Sequence, residues 1–449
     1  MEEKLLWKQS SGGESASQPS LGYWITLGLT RQKHVAPWLG PQPLSDGGSA
    51  VNPIDAISPL EASLNFTSST DPIVRYQFEP LSATRENHAI PENKFGQAAV
   101  RQMLSQMKPE IKNIDLGWAE QFIEALFPSG AEEMARVLER SSAELPPPLD
   151  HALTFNMALD LRGAARSMKA YMFPMAKNLS TGRHRDARDL GLDAVRGLRP
   201  YGERLAPAVD LLDAYWDTCP DRLTLDMIGM DCVDPSKARI KIYAHMHTRN
   251  SWNVVRSVAT FGGKVKLTSP SKGHPRGTTF CSPWNISADT HVSSKAMDPD
   301  RLKGLDLLHS IWNLLRNEQG PVDDDYDKPM RHSTSFLGSI MFSFEIVPGR
   351  EVPDVKIYVP MWQYAASDGH VASDLTAAFR KLGWEQTADD YLNKMKRTFP
   401  GADLDSPSSV VHSNVSFSYS AKTGAYMSVY HAVSGKATLL GGGINMTEE

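Results

Sequence analysis

Ala238-Arg-Ile-Lys-Ile-Tyr243 reads as one β-strand that carries a cation, a second cation and a tyrosine at alternate positions. Side chains alternate faces along a strand, so Arg239, Lys241 and Tyr243 point one way, and Ile240 and Ile242 point the other, into an apolar layer. Two positive charges on one sheet face repel each other unless an anion sits between them. Lys169-Ala-Tyr171 and Lys356-Ile-Tyr358 repeat a shorter version of the pattern. The repetition predicts several strands that aim a cation and a tyrosine at one shared anionic ligand.

Working outward, Asp234-Pro-Ser236 turns the chain back onto a preceding strand, so 222–232 and 238–245 form a hairpin. Four further hairpins have the same look: 60–66 with 73–78, 152–161 with 167–173, 336–346 with 354–360, and 411–419 with 425–433. The last two turn at Pro348-Gly349 and Thr423-Gly424. Helical periodicity is read near 95–106, 116–126, 131–140, 189–197, 204–218, 251–261, 301–317, 372–382 and 387–397. Hairpin connections are too short for a crossover, so the sheet is antiparallel. The expected fold class is α+β, a ten-stranded antiparallel barrel with helices outside, because closure removes the edge strands and creates a lumen for the Lys/Arg/Tyr face.

Composition narrows the class. The 449 residues are 41% hydrophobic and 22% charged, ordinary for a globular protein with a large core. A formal net charge of -5 offers no global basicity for nucleic acid or an anionic membrane, so any anion site is local. Cys219, Cys232 and Cys281 are scattered, with no C-x-x-C spacing, which argues against a disulfide framework or zinc site and for a reducing, cytoplasmic compartment. No apolar run is long enough to span a bilayer, and Met1-Glu-Glu-Lys4 does not begin a signal peptide. Residues 1–20 are expected to form a mobile tail, 21–435 a single barrel domain, and 436–449 a flexible tail. The expected assembly is a monomer or homodimer.

Four strand cations, Lys169, Arg239, Lys241 and Lys356, are natural partners for a diphosphate, which carries about three negative charges near neutral pH. Aromatic faces stabilise a carbocation through the ring quadrupole. Cations beside tyrosines can therefore hold an allylic diphosphate, help it leave, and shield the resulting cation from water.

These stretches resemble the fungal aromatic prenyltransferases of the dimethylallyltryptophan synthase family. The match is carried by Phe78-Glu-Pro80, Ala158-Leu-Asp-Leu161 with Lys169-Ala-Tyr171, Asp234-Pro-Ser-Lys-Ala-Arg-Ile-Lys-Ile-Tyr243, Val355-Lys-Ile-Tyr358, and Val415-Ser-Phe-Ser-Tyr419 with Tyr426 and Tyr430. It runs from about Ser58 to Val433. The resemblance implies a barrel of repeated α-β-β-α units with no cofactor and no metal, using dimethylallyl diphosphate as co-substrate and a small aromatic molecule as acceptor. It implies Glu79 as the group that accepts the indole N–H. Arg85, Lys169, Arg239, Lys241 and Lys356 would bind diphosphate, and Tyr171, Tyr243, Tyr358, Tyr430 and Tyr426 would supply the shield.

Two departures bear on the acceptor. Trp24 to Leu60 is compressed relative to the family's N-terminal region. Enzymes acting on free tryptophan often carry a lysine where this chain has Arg162, and an arginine on the strand that here reads Leu225-Asp-Met-Ile-Gly-Met230. A guanidinium is a poor base. The expected acceptor is therefore a neutral indole, such as a tryptophan-containing cyclic dipeptide. Free tryptophan, tyrosine or a polycyclic phenol are the alternatives, followed by a metal-dependent prenyl or terpene synthase and a non-catalytic ligand-binding barrel. Asp323-Asp-Asp-Tyr-Asp327 has the spacing of a magnesium-binding prenyl-synthase motif but sits between Gly320-Pro321 and Lys328-Pro329, the context of a solvated loop. His245 and His247 are expected at a loop or rim.

Overall fold

The structure is a computed structural model that describes residues 60–67, 73–78, 97–144, 154–162, 165–181, 186–221, 223–247, 249–266, 298–331, 339–400, 402–407 and 411–432. Ten strands close one barrel in the order β1-β10-β9-β8-β7-β6-β5-β4-β3-β2, every neighbour antiparallel. The strands are β1 Leu60–Thr67, β2 Ile73–Phe78, β3 Phe155–Arg162, β4 Ala165–Met172, β5 Leu223–Asp231, β6 Ile240–Met246, β7 Ile340–Ile346, β8 Asp354–Val359, β9 His412–Ser420 and β10 Gly424–Ala432. All five hairpins turn at one end of the barrel, and the helical connections leave from the other. At the hairpin end Gly349 and Gly424 adopt φ of 87° and 66°, which a side chain would strain.

Outside lie α1 Gln97–Met107, α2 Gly117–Leu126, α3 Gly130–Glu144, α4 Met175–Ser180, α5 Ala187–Gly197, α6 Gly202–Thr218, α7 Trp252–Ala259, α8 Pro299–Leu315, α9 Asp368–Lys381 and α10 Glu385–Thr398. Their starts follow local chemistry. Asp186 caps α5 by accepting from the Arg188 N–H at 2.8 Å, and Asp298 caps α8 from the Arg301 N–H at 2.9 Å, with Pro299 opening the first turn. Apolar residues recur at helical spacing on the inner faces, as in Leu205, Val209, Leu212 and Trp216 of α6, or Leu305, Leu308, Ile311, Trp312 and Leu315 of α8. They meet the outward strand residues Ile228, Ile240, Ile242, Phe342 and Phe344 in one buried cluster. Each such side chain removed from water contributes about 1.5–3 kcal/mol, so this layer, outside the barrel wall, is the main source of stability and frees the lumen for polar groups.

The expected hairpins and helices are present to within a few residues, and among the described residues the α-helix α4 and a 3-10 turn at Met361–Gln363 were unforeseen. Arg239 lies just before β6, at the hairpin mouth, with its carbonyl accepting from the Asp231 N–H at 3.2 Å. The compressed segment before β1, residues 24–59, and both tails lie outside the described residues.

Candidate active site

The stagger of the strands turns the Lys-x-Tyr repeat into two rings. Tyr171 on β4 pairs with Gly229, and Gly229 with Lys241 on β6, two residues before Tyr243. Tyr243 pairs with Ser343, and Ser343 with Lys356 on β8, two residues before Tyr358. Tyr358 pairs with Ser416, and Ser416 with Ser428 on β10, two residues before Tyr430. Tyr430 pairs with Ser63, and Ser63 with Arg75 on β2; Gln77, two residues on, pairs with Ala158, which pairs with Lys169. Each step of two strands thus advances two residues, the tilt a closed barrel requires. Lys169, Lys241, Lys356, Ser428 and Arg75 occupy one level, and Tyr171, Tyr243, Tyr358, Tyr430 and Gln77 the next.

The tyrosine level is an aromatic collar. Ring centroids lie 6.0 Å apart for Tyr171–Tyr243, 5.8 Å for Tyr243–Tyr358 and 5.8 Å for Tyr358–Tyr430, all tilted or edge-on. The strands between carry the small residues Gly229, Ser343 and Ser416, which leaves room for the rings. A Cβ on Gly229 would come within 2.9 Å of the Tyr171 ring and 3.1 Å of Tyr243. Burial pushes the phenols of all four tyrosines up, so they stay neutral donors. Tyr426 stands apart from the collar: Lys356 Nζ lies over its ring at 4.5 Å, in the cation layer.

That layer holds Arg75, Lys169, Arg239, Lys241 and Lys356. Three carboxylates interleave with them. Asp160 pairs with Arg75 and lies 3.5 Å from Lys169; Asp231 pairs with Lys169 and, at 2.6 Å, with Arg239; Glu345 lies 3.3 Å from Arg239 and 3.4 Å from Lys241. The anion between Arg239 and Lys241 is thus partly the protein's own. Burial would raise Asp231, but Lys169, Arg239 and Lys241 outweigh it and hold the carboxyl well below its usual range. Five basic side chains face three carboxylates, so bases outnumber acids by two. The excess is felt at Lys356, whose polar contact is Ser428 Oγ at 3.1 Å. Burial, Lys241 and Arg75 push its pKa well below the ordinary lysine value, and burial with Arg239 and Lys169 lowers Lys241 to about 8, against Glu345.

On the far side of the collar the lumen changes character. Glu61 faces inward from β1, opposite Gln77, and accepts from Ser413 Oγ at 3.2 Å. Burial raises its carboxyl to about 7, against Ser413 and Arg75. Asn156 on β3 is fully buried beside Tyr171 with neither amide atom partnered. His245, expected at a rim, lies instead on β6 with its side chain buried in the lumen and its Nδ1 on Asp226. It belongs to the strand because the alternation set by Arg239, Lys241 and Tyr243 continues for one more step.

Glu79, Arg85 and the Arg162 side chain lie outside the described residues. Among the described residues, no group of three or more His, Cys, Asp or Glu is placed to hold a metal ion. Asp323–Asp327 forms an irregular loop tied to the start of α7, with Asp327 accepting from the Asn250 N–H at 2.7 Å and Asp325 from Asn253 Nδ2 at 2.5 Å. No described helix is long and apolar enough to cross a membrane.

Comparison with known proteins accords with this geometry. The family model described as tryptophan dimethylallyltransferase matches residues 29–275 and 294–394. The O-glucose prenyltransferase PaPT of Phomopsis amygdali is 38% identical over 438 residues, covering 96% of this chain and 87% of that protein. The indole prenyltransferase tdiB of Emericella nidulans is 30% identical over 414 residues, 89% of this chain and 87% of that protein. Among solved structures, NotF prenyltransferase superposes with a TM-score of 0.65 at 24% identity, covering 84% of this chain and 80% of that one. AnaPT from Neosartorya fischeri gives 0.63 at 22%, covering 84% and 78%. At those identities the structural likeness is one of fold, the helix-wrapped barrel. The family match over most of the length, on a lumen where a cation layer underlies an aromatic collar, establishes that this chain is a prenyltransferase belonging to the tryptophan dimethylallyltransferase family.

Proposed function

We propose that the barrel transfers a dimethylallyl group from dimethylallyl diphosphate to a neutral acceptor that carries no carboxylate. The observation that carries this reading is the register of the strands, which stacks the cation layer directly beneath the tyrosine collar. Arg75, Lys169, Arg239, Lys241 and Lys356 hold the diphosphate, whose roughly three negative charges answer the excess positive charge. The C–O bond to the diphosphate breaks, the electron pair leaves with it into the layer, and the allylic cation is faced by Tyr171, Tyr243, Tyr358 and Tyr430. Positive charge comes from side chains, so the reaction needs no metal.

Arg75 and Glu61 enter the reading from the structure. Glu61 joins Glu79 as a candidate for the group that accepts a hydrogen bond from the acceptor's indole N–H. Glu79, two residues beyond Gln77 in the sequence, remains a candidate for that role. Asp226 stands on β5, where Leu225–Met230 carries no arginine, and it repels an acceptor carboxylate. This supports the indole of a tryptophan-containing cyclic dipeptide over free tryptophan. A second acceptor class, a sugar hydroxyl, is favoured by the 38% identity to an O-glucose prenyltransferase. The working state is read as a monomer or homodimer in the cytoplasm.

Inorganic diphosphate titrated calorimetrically into the protein tests the cradle without an acceptor. Wild type should bind with chelator present, and Lys241→Ala should bind about 10–100-fold more weakly, the cost of one charged hydrogen bond. Binding that is lost with chelator, or unchanged in Lys241→Ala, would contradict the reading.

A further inference from the structure

We propose that His245 and Asp226 are the proton-accepting pair for the acceptor, and that the atom they serve is a hydroxyl oxygen. The inference rests on the lumen being a prenyl-transfer site. His245 lies one side-chain period beyond Tyr243 on the same face of β6, about 7 Å further along the strand. It is 6% exposed, with Met341 opposite on β7 and Thr224 opposite on β5. Asp226 reaches it because the β5 register shifts between Leu225 and Met227, and a bulge of this kind re-aims the side chain of its extra residue. The carboxylate on Nδ1 holds the ring in the tautomer whose Nε2 carries the lone pair.

A second His–Asp pair in the chain shows what a structural one looks like. His412 Nδ1 lies 2.8 Å from Asp368, and the Tyr391 hydroxyl lies 2.9 Å from its Nε2. Both nitrogens are occupied, and the ring is buried against α9 and α10 behind the barrel wall. Among the described residues, no side chain caps Nε2 of His245 in this way.

The chemistry favours oxygen. An indole carbon attacks with its π electrons and loses its proton only afterwards, from a ring that is already cationic. An aliphatic hydroxyl is a weak nucleophile and gains most from a base placed at the bond-forming step. Here the C–O bond to diphosphate breaks and its electron pair leaves with the diphosphate. The hydroxyl oxygen gives a lone pair to the allylic carbon, forming the ether, while its proton passes to Nε2 of His245. Asp226 stabilises the imidazolium, which later yields the proton to water. The product is a dimethylallyl ether and free diphosphate.

The test is to give wild type, His245→Ala, His245→Gln and Asp226→Asn dimethylallyl diphosphate with an alkyl glycoside or a tryptophan-containing cyclic dipeptide. Prenyl product and released dimethylallyl alcohol are measured together. Wild type should form the ether. His245→Ala should lower kcat for ether formation by about 10²–10⁴-fold, leave KM for the diphosphate unchanged, and divert ionised prenyl groups to dimethylallyl alcohol. Added imidazole should restore part of the ether yield in His245→Ala. His245→Gln, which preserves a hydrogen bond to Asp226 and so guards against misfolding, should be as impaired as the alanine variant. Wild type that prenylates only the indole carbon would overturn the hydroxyl assignment and leave the proposed function standing. Transfer to neither acceptor would sink both. Ether formation within a few-fold of wild type in His245→Ala would overturn the pair's role, as would a parallel loss of alcohol release that imidazole does not rescue.

Discussion

At the scale of single residues, the barrel works by burying ionisable groups against their preference. Lys241 is pushed down to about 8 and Glu61 up to about 7, both chiefly by burial. The signs give a narrow optimum. Lys241 holds its proton, and so binds the diphosphate, below about pH 8; Glu61 is a carboxylate, and so accepts a hydrogen bond, above about pH 7. The pH profile of kcat/KM should therefore be bell-shaped, with limbs near 7 and 8. Lys241→Arg should shift the alkaline limb upward, because a guanidinium stays charged, and a limb unmoved in that variant would refute the assignment. Glu61→Gln should remove the acid limb and lower kcat by about 10²-fold, checked by steady-state kinetics across pH. Sequence reading reached Lys169, Lys241 and Lys356 because each stands two residues before a tyrosine. It missed Arg75, which has Gln77 where the others have an aromatic, and Glu61, which stands on β1 with no cation or tyrosine in phase to mark it. His245 was misread because, as the last residue of the expected strand 238–245, it was assigned to the rim, whereas β6 runs on to Met246 and keeps it in phase with Tyr243.

At the scale of elements, the alternation of large and small residues between strands decides the collar. Even-numbered strands carry the tyrosines and odd-numbered ones carry Gly229, Ser343 and Ser416. Gly229→Ala tests this. Its Cβ would meet the Tyr171 and Tyr243 rings at 2.9 and 3.1 Å, and both rings are wedged among buried neighbours. The variant should lose about 1–3 kcal/mol of stability and release a larger share of the prenyl group as dimethylallyl alcohol, because displaced rings admit water. Denaturant unfolding and product partition check the two effects separately. The hairpins were legible because Asp234-Pro-Ser236, Pro348-Gly349 and Thr423-Gly424 mark turns between alternating runs. The short helix α4, with Pro174 at its start and six residues, carries too little periodicity to be read. The bulge that frees Asp226 has no sequence signature either, since it depends on the partner strand.

At the scale of the molecule, closure of β1 on β10 brings Ser63 beside Tyr430 and Asn65 beside Ser428, and so completes both rings from opposite ends of the chain. Inward polarity is supported by the apolar layer outside, which reverses the usual arrangement of a small globular core. The cost is a layer of basic groups that Asp160, Asp231 and Glu345 compensate only in part, and a ligand that fills it should stabilise the fold. Inorganic diphosphate at about 100 times its dissociation constant should add about 2.7 kcal/mol and raise the melting temperature by several degrees. An unchanged melting temperature would speak against the cradle. The most direct test is product formation. The protein is incubated with dimethylallyl diphosphate and a panel of tryptophan, tryptophan-containing cyclic dipeptides, tyrosine and alkyl glycosides, with and without chelator, and each mixture is read by mass spectrometry. A gain of one prenyl unit on a carboxylate-free acceptor, undiminished by chelator, is the expected result. No prenyl gain on any acceptor, or a gain abolished by chelator, would contradict it.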